Sequence, residues 1–194
     1  MATTRELTPY AAGAGGTVRV PGSKSLTNRA LLLCALANGE SRLAGGLESE
    51  DSQLMQAALQ ELGVGIEKTE GVWTITGVGG RFAHGDFDLY LGNAGTAMRF
   101  LSAAAALGKG SIRLHGKPRM HQRPIADLIT ALAQLGVAIR SEADTGCPPV
   151  HITATGTIPG GGCSISGATS SQFLSALLHI APLTQVGVLL QIEP

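Results

Sequence analysis

The chain has 194 residues, 44% of them hydrophobic and only 4% aromatic, with 27 glycines. That is long enough for one sizeable core built from small side chains and many turns. The formal charge sums to +0, which excludes a whole-molecule field drawing the protein to nucleic acid or membrane, so any anion site must be local.

Cys34, Cys147 and Cys163 are an odd set without metal-ligand spacing, as expected of a reduced cytosolic protein in which Cys34 fills core. The first residues, Met-Ala-Thr-Thr-Arg-Glu, lack the apolar stretch of a signal peptide. Arg99 interrupts the longest small-apolar run, leaving nothing near the ~20 residues of a membrane span. A soluble, cytoplasmic protein is expected.

In chain order, Thr17-Val-Arg-Val20 alternates like a strand and leads through the Gly22-Ser-Lys-Ser25 turn into an apolar helix at 29–37. Ser41-Arg-Leu43 predicts a second strand. Leu54, Met55, Ala58, Leu59 and Leu62 then mark one face of an amphipathic helix. Glu48, Glu50 and Asp51 suit the start of that helix and its dipole. Gly63 suits the left-handed position after it, and 72–76 closes the unit as half of a hairpin-like pair.

The plan then repeats. Asp88-Leu-Tyr-Leu and the turn Gly92-Asn-Ala-Gly-Thr96 lead into an apolar helix at 98–107, a strand at 111–115 and a helix marked by Ile125, Leu128, Ile129, Leu132 and Leu135. Pro124 sits where a first-turn proline is tolerated, Gly136 follows the helix, and 150–155 closes the copy. A third copy begins with Cys163-Ser-Ile-Ser, Gly167-Ala-Thr-Ser-Ser171 and a helix at 172–180. Gly22 to Gly92 is 70 residues, Gly92 to Gly167 is 75, and Gly63 to Gly136 is 73, as a duplicated unit requires. The third copy lacks its amphipathic helix and hairpin, so the chain is expected to be a truncated piece. The expected fold is α/β: pseudo-threefold repeats of a βαβαββ-type unit with buried helices inside and sheets outside, the third repeat incomplete. The first helix of each copy is apolar on nearly every face, which predicts burial.

Chemistry is expected at the three turns. A helix start leaves unpaired N–H groups and a partial positive charge, favouring phosphate or carboxylate. These starts carry Lys24, Ser25 and Arg29; Asn93, Gly95, Thr96 and Arg99; and Ser170, Ser171 and Gln172. Taken singly, Lys24 and Arg29 read as solvated charges, Ser25, Thr96 and Ser170 as helix caps, and Gly95 as a turn residue. Arg29, one turn after Ser25 on an apolar helix, is the exception, because a buried helix does not usually carry an unpaired guanidinium. Arg119 and Arg123, just before a helix, read either as a solvated basic loop or as an anion clamp. Gly22-Ser-Lys-Ser lacks the Gly-Lys of a nucleotide P-loop, and the five histidines show no metal spacing.

Four blocks together, Pro21-Gly-Ser-Lys-Ser-Leu-Thr-Asn-Arg-Ala30, Leu91-Gly-Asn-Ala-Gly-Thr-Ala-Met-Arg99, Pro118-Arg-Met-His-Gln-Arg-Pro124 and Ser170-Ser-Gln-Phe-Leu174, resemble the signature blocks of the 5-enolpyruvylshikimate-3-phosphate synthase family. The resemblance covers essentially the whole chain, which corresponds to rather less than half of the usual enzyme. It implies transfer of the enolpyruvyl group of phosphoenolpyruvate to the 5-hydroxyl of shikimate-3-phosphate, releasing phosphate, in aromatic amino acid biosynthesis, without metal or organic cofactor.

By that resemblance Lys24 contacts both substrates and is the catalytic residue of this portion. Ser25 and Arg29 hold shikimate-3-phosphate, Ser170 and Ser171 bind its phosphate, and Gln172 lies between the ligands. Gly95 and Arg123 line the phosphoenolpyruvate site with Asn93 close by, and Thr96 completes the second helix start. Residues 1–20 would give a strand to a second domain, with repeats at 17–80, 88–156 and 163–194 forming the shikimate-3-phosphate domain. The family's catalytic aspartate and glutamate region, and its later arginines and lysine, fall beyond this chain. The isolated chain is therefore expected to be inactive without a complementary C-terminal half. Phe100 stands where the family commonly has proline. Two alternatives remain: a non-catalytic shikimate-3-phosphate-binding fragment, and UDP-N-acetylglucosamine enolpyruvyl transferase. Members of the latter usually show Gly-Ala-Lys-Asn in the first block and often a Cys near Pro118.

Overall fold

Local sequence signals set most element boundaries in the computed structural model, which describes residues 4, 6, 8, 13, 15–167 and 170–193. Helix α1 (Lys24–Leu36) starts at Ser23, whose hydroxyl accepts from the Leu26 N–H at 3.4 Å. Helix α2 (Glu50–Glu61) starts in a reciprocal box, with Ser49 and Ser52 each bonding the other's backbone N–H. Glu50 and Asp51 occupy its first turn, where the helix dipole favours negative charge. Gly63 and Gly136 take φ +91° and +86° directly after α2 and after α4 (Ala126–Gln134), the left-handed positions expected of them.

Three sheets surround these helices. Strands β1 (Asn38–Ala44), β2 (Gly65–Thr69) and β3 (Val72–Val78) form an antiparallel sheet in the order β1-β3-β2. Strands β4 (Phe87–Tyr90), β5 (Lys109–His115), β6 (Ala138–Ser141) and β7 (Val150–Thr155) follow the order β4-β5-β7-β6. The run β5-β7-β6 thus has the order and antiparallel sense of β1-β3-β2, with β4 added parallel on the outer edge of β5. Strands β8 (Gly161–Ser166) and β9 (Val188–Glu193) form a parallel pair. Each sheet turns one face inward. On β5 and β7, Ile112 opposes Ile152 and Leu114 opposes Val150, all four buried, while Arg113 and His151 oppose on the other face.

Two expectations fail here. The segment Thr17 to Val20 forms no strand; Val18 and Val20 are 84% and 78% exposed. Backbone polar groups need a ladder partner to hold a strand, and among the described residues none flanks this segment. Much of residues 1–14, and Ala168 and Thr169 of the third turn, lie outside the described residues. Burial of the first helix in each unit also differs from expectation. Helix α3 (Gly95–Ala104) is buried at every position except Arg99, but Leu26 and Leu33 of α1 and Leu178 of α5 (Ser171–Ile180) are more than half exposed. Apolar periodicity marks which helices can be buried, whereas burial itself needs a neighbour on every face.

Helix α3 is the hub. It packs against α1, α2, α5 and β5, and Ala97, Phe100, Leu101, Ala103 and Ala104 have no exposed surface. Small residues let the neighbouring backbones approach at close-packed density. Leu101→Ala should destabilise the chain by about 2–5 kcal/mol through the cavity left in this interior. Urea unfolding followed by circular dichroism should show a lower midpoint at unchanged slope; an unshifted midpoint would mean that α3 is not the core element described.

Candidate active site

The first two turns of α1, α3 and α5 meet through charged and aromatic side chains. Arg29, the sixth residue of α1, donates to the Ser25 carbonyl at 3.3 Å and to Ser175 Oγ of α5 at 3.2 Å. Its guanidinium lies 5.3 Å from the centroid of Phe100, the sixth residue of α3. Arg99 donates to the Gly95 carbonyl at 3.4 Å and to Gln172 Oε1 of α5 at 2.7 Å, and lies 5.2 Å from the Phe173 centroid. Phe100 in turn stacks edge-on with His179 in the last turn of α5, with ring centroids 4.8 Å apart.

Each start is finished differently. Ser170 caps α5, accepting from the Gln172 N–H at 3.2 Å, and Ser171 is exposed beside it. At α3 no side chain caps the helix; Ala94 is its N-cap and Thr96 is buried in the first turn. Arg123 comes over this uncapped start instead, donating to the Asn93 carbonyl at 3.2 Å. A Cβ at position 95 would fall on the Arg123 guanidinium, so glycine there makes the approach possible. Asn93, Arg119 and Arg123 line a cavity of about 300 Å³. A larger hollow of about 540 Å³ runs along β8 and β9, but its lining carries no cationic side chain.

Lys24 sits at the α1 start with its ammonium 3.1 Å from Asp51 Oδ2, joining that start to the first turn of α2. This pairing was not legible in the sequence, which assigns Asp51 only a dipole role. Glu50 beside it pairs with Lys117 at 2.9 Å and ties α2 to the second basic loop.

The electrostatics are one-sided. Among the described residues no carboxylate pairs with Arg29, Arg99 or Arg123. Burial, and after it the charge of Arg123, holds the Arg99 guanidinium below its usual value. Burial, and after it Arg29, likewise pushes His179 below the ordinary histidine value. Neutral carbonyl, hydroxyl, amide and ring partners fix these cations without cancelling them, an arrangement suited to oxyanions. Of the expected site residues, Arg29, Asn93, Gly95, Arg123, Ser170 and Gln172 are linked by these contacts. Ser25 joins through its carbonyl, and Lys24 is tied to α2. Phe100 has a local reason in this chain, since its ring takes Arg29 on one contact and His179 on another.

Fold and site together describe an α/β domain that gathers unpaired cations at the starts of packed helices. A family profile described as EPSP synthase (3-phosphoshikimate 1-carboxyvinyltransferase) matches residues 12–193, and the chain belongs to that family. It is 49% identical over 181 residues to the 3-phosphoshikimate 1-carboxyvinyltransferase of Shewanella amazonensis, covering 92% of this chain and 42% of that protein. With the enzyme of the same name from Marinomonas sp. it is 47% identical over 182 residues, covering 93% and 43%. The solved EPSP synthase of Acinetobacter baumannii superposes with TM-score 0.79 at 32% identity, covering 87% of this chain and 39% of that one. The chain thus spans about two fifths of the length of these relatives.

Gly95→Ala should keep or raise stability by up to about 1 kcal/mol, since alanine is the better helix former and the flexible Arg123 tip can move aside. The Arg123 Nε resonance should shift; a loss of several kcal/mol in a melt would show the guanidinium to be fixed. Because His179 is harder to protonate folded than unfolded, the unfolded chain binds the extra proton, and stability should fall as pH drops below about 6.5. His179→Phe should flatten that part of the pH–stability curve, and an unchanged slope would remove His179 as its cause.

Proposed function

We propose that the chain is the shikimate-3-phosphate-binding portion of an enzyme that transfers the enolpyruvyl group of phosphoenolpyruvate to the 5-hydroxyl of shikimate-3-phosphate, releasing phosphate. The observation that carries this reading is the set of guanidinium groups at the starts of α1 and α3, held by neutral partners and left without carboxylates among the described residues. Both substrates are polyanions, so a site for them needs cations that are positioned but not neutralised.

In this reading residues 21–194 form the shikimate-3-phosphate domain, with units at 17–80, 88–156 and 163–194 around a pseudo-threefold axis. Residues 1–20 serve a second domain. Lys24 reaches both substrates; Ser25 and Arg29 hold the sugar acid; Ser170 and Ser171 take its phosphate; Gln172 lies between the two ligands. Asn93, Gly95, Thr96 and Arg123 form the near wall of the phosphoenolpyruvate site. Protonation of the enol methylene makes C2 electrophilic, and the 5-hydroxyl oxygen adds there with loss of its proton. The tetrahedral adduct then expels phosphate as a methyl proton leaves to restore the enol. The cations of this chain stabilise the charge of both anions throughout. Groups that move the protons are assigned to a complementary C-terminal half.

A coupled phosphate-release assay with both substrates should show turnover when the chain is combined with that half, and none from the chain alone. Lys24→Met and Arg29→Ala should each lower turnover by orders of magnitude, about 100-fold or more being the usual effect of removing an electrostatic contact to reacting groups. Shikimate-3-phosphate binding without turnover in the reconstituted pair would make the chain a binding module, and near-normal kinetics in both variants would overturn the site assignment.

A further inference from the structure

Arg99 has no ligand in the reading above, yet it is the one charged side chain on the otherwise buried helix α3. Filling space does not explain it, because an aliphatic residue would do so without desolvating a charge. Its Nε is buried and meets no acceptor among the described residues, and burial together with Arg123 works against its charge. What Arg99 does hold is the side chain of Gln172, at 2.7 Å, while its flat face covers Phe173 of the same helix turn.

The chemistry of that contact fixes a direction. A guanidinium only donates hydrogen bonds, so the amide atom facing it must be the oxygen. An unrestrained glutamine amide can rotate end for end and present either lone pairs or N–H groups at one point in space. Bound to Arg99 through Oε1, Gln172 keeps its –NH₂ for other partners. An anionic ligand requires N–H groups and is repelled by lone pairs, so the orientation decides whether Gln172 attracts or repels it.

We infer that Arg99 is a positioning residue that locks the Gln172 amide with its –NH₂ toward the anionic substrates, resting on the assignment of Gln172 between the two ligands. The Arg99 charge acts through Gln172, and the Phe173 ring, 5.2 Å from the guanidinium, helps to hold it in place.

The test is a double-mutant cycle in the reconstituted enzyme, with amide resonances of the 194-residue chain as an independent readout. Arg99→Leu and Gln172→Leu should each lower kcat/KM at least 10-fold, and the double variant should be no worse than the weaker single variant within about twofold, the signature of a shared contact. Arg99→Lys, which still donates, should recover part of the loss. Thermal melts of Arg99→Leu should stay within a few degrees of the parent, separating positioning from packing. In ¹⁵N spectra the Gln172 side-chain NH₂ pair should be distinct in the parent and move to the averaged position of a free amide in Arg99→Leu. Multiplicative losses, wild-type kinetics in Arg99→Leu, or an unmoved Gln172 amide would each overturn the inference. Absence of turnover by the parent pair would count against the enzyme reading instead, and the amide resonances would then decide the lock alone.

Discussion

A guanidinium placed beside an apolar helix without a carboxylate is a costly arrangement, and three of them organise this molecule. Arg29 and Arg99 lie over the rings of Phe100 and Phe173 and donate to carbonyl, hydroxyl and amide oxygens; Arg123 donates to a carbonyl at the same helix start. Neutral acceptors satisfy the directional needs of these groups but leave the charge in place. Helix starts add partial positive charge of their own. Positive charge is thereby left uncancelled at these helix starts while the formal charge of the chain stays at +0.

Packing is what makes the arrangement possible. Helix α3 is built largely of Ala, Leu, Met and Ser, so α1, α2 and α5 can approach it closely, and only then do Arg29 and Arg99 reach residues 146 and 73 positions away in sequence. The acidic first turn of α2 has a matching role at the rim. Asp51 and Glu50 pair with Lys24 and Lys117 and tie the start of α1 and a basic loop to one helix end. Both pairs are partly exposed and add little stability, so their effect is chiefly one of position.

Much of this was legible before any coordinates. The Gly63 and Gly136 stops and the Ser170 cap follow from local stereochemistry and stand where the sequence puts them, whereas Ser23 rather than Ser25 caps α1 and no side chain caps α3 at Thr96 or elsewhere. The exposed, unpaired Thr17–Val20 segment shows the limit of that reasoning, because a strand is a property of two segments and its sequence describes only one. Leu26, Leu33 and Leu178 make the same point for helices: an apolar surface states what could be covered, not what covers it.

The sequence by itself determined the residue types at the three helix starts, the oddity of an arginine on an apolar helix, and the family to which four ordered blocks point. Tertiary structure alone decided which groups meet. The contacts Lys24–Asp51, Arg29–Ser175, Arg99–Gln172 and Phe100–His179 join separate elements. The physical reason is that capping and turn chemistry act over three or four residues, whereas the orientation of a charged side chain is set by whatever the folded chain packs against it.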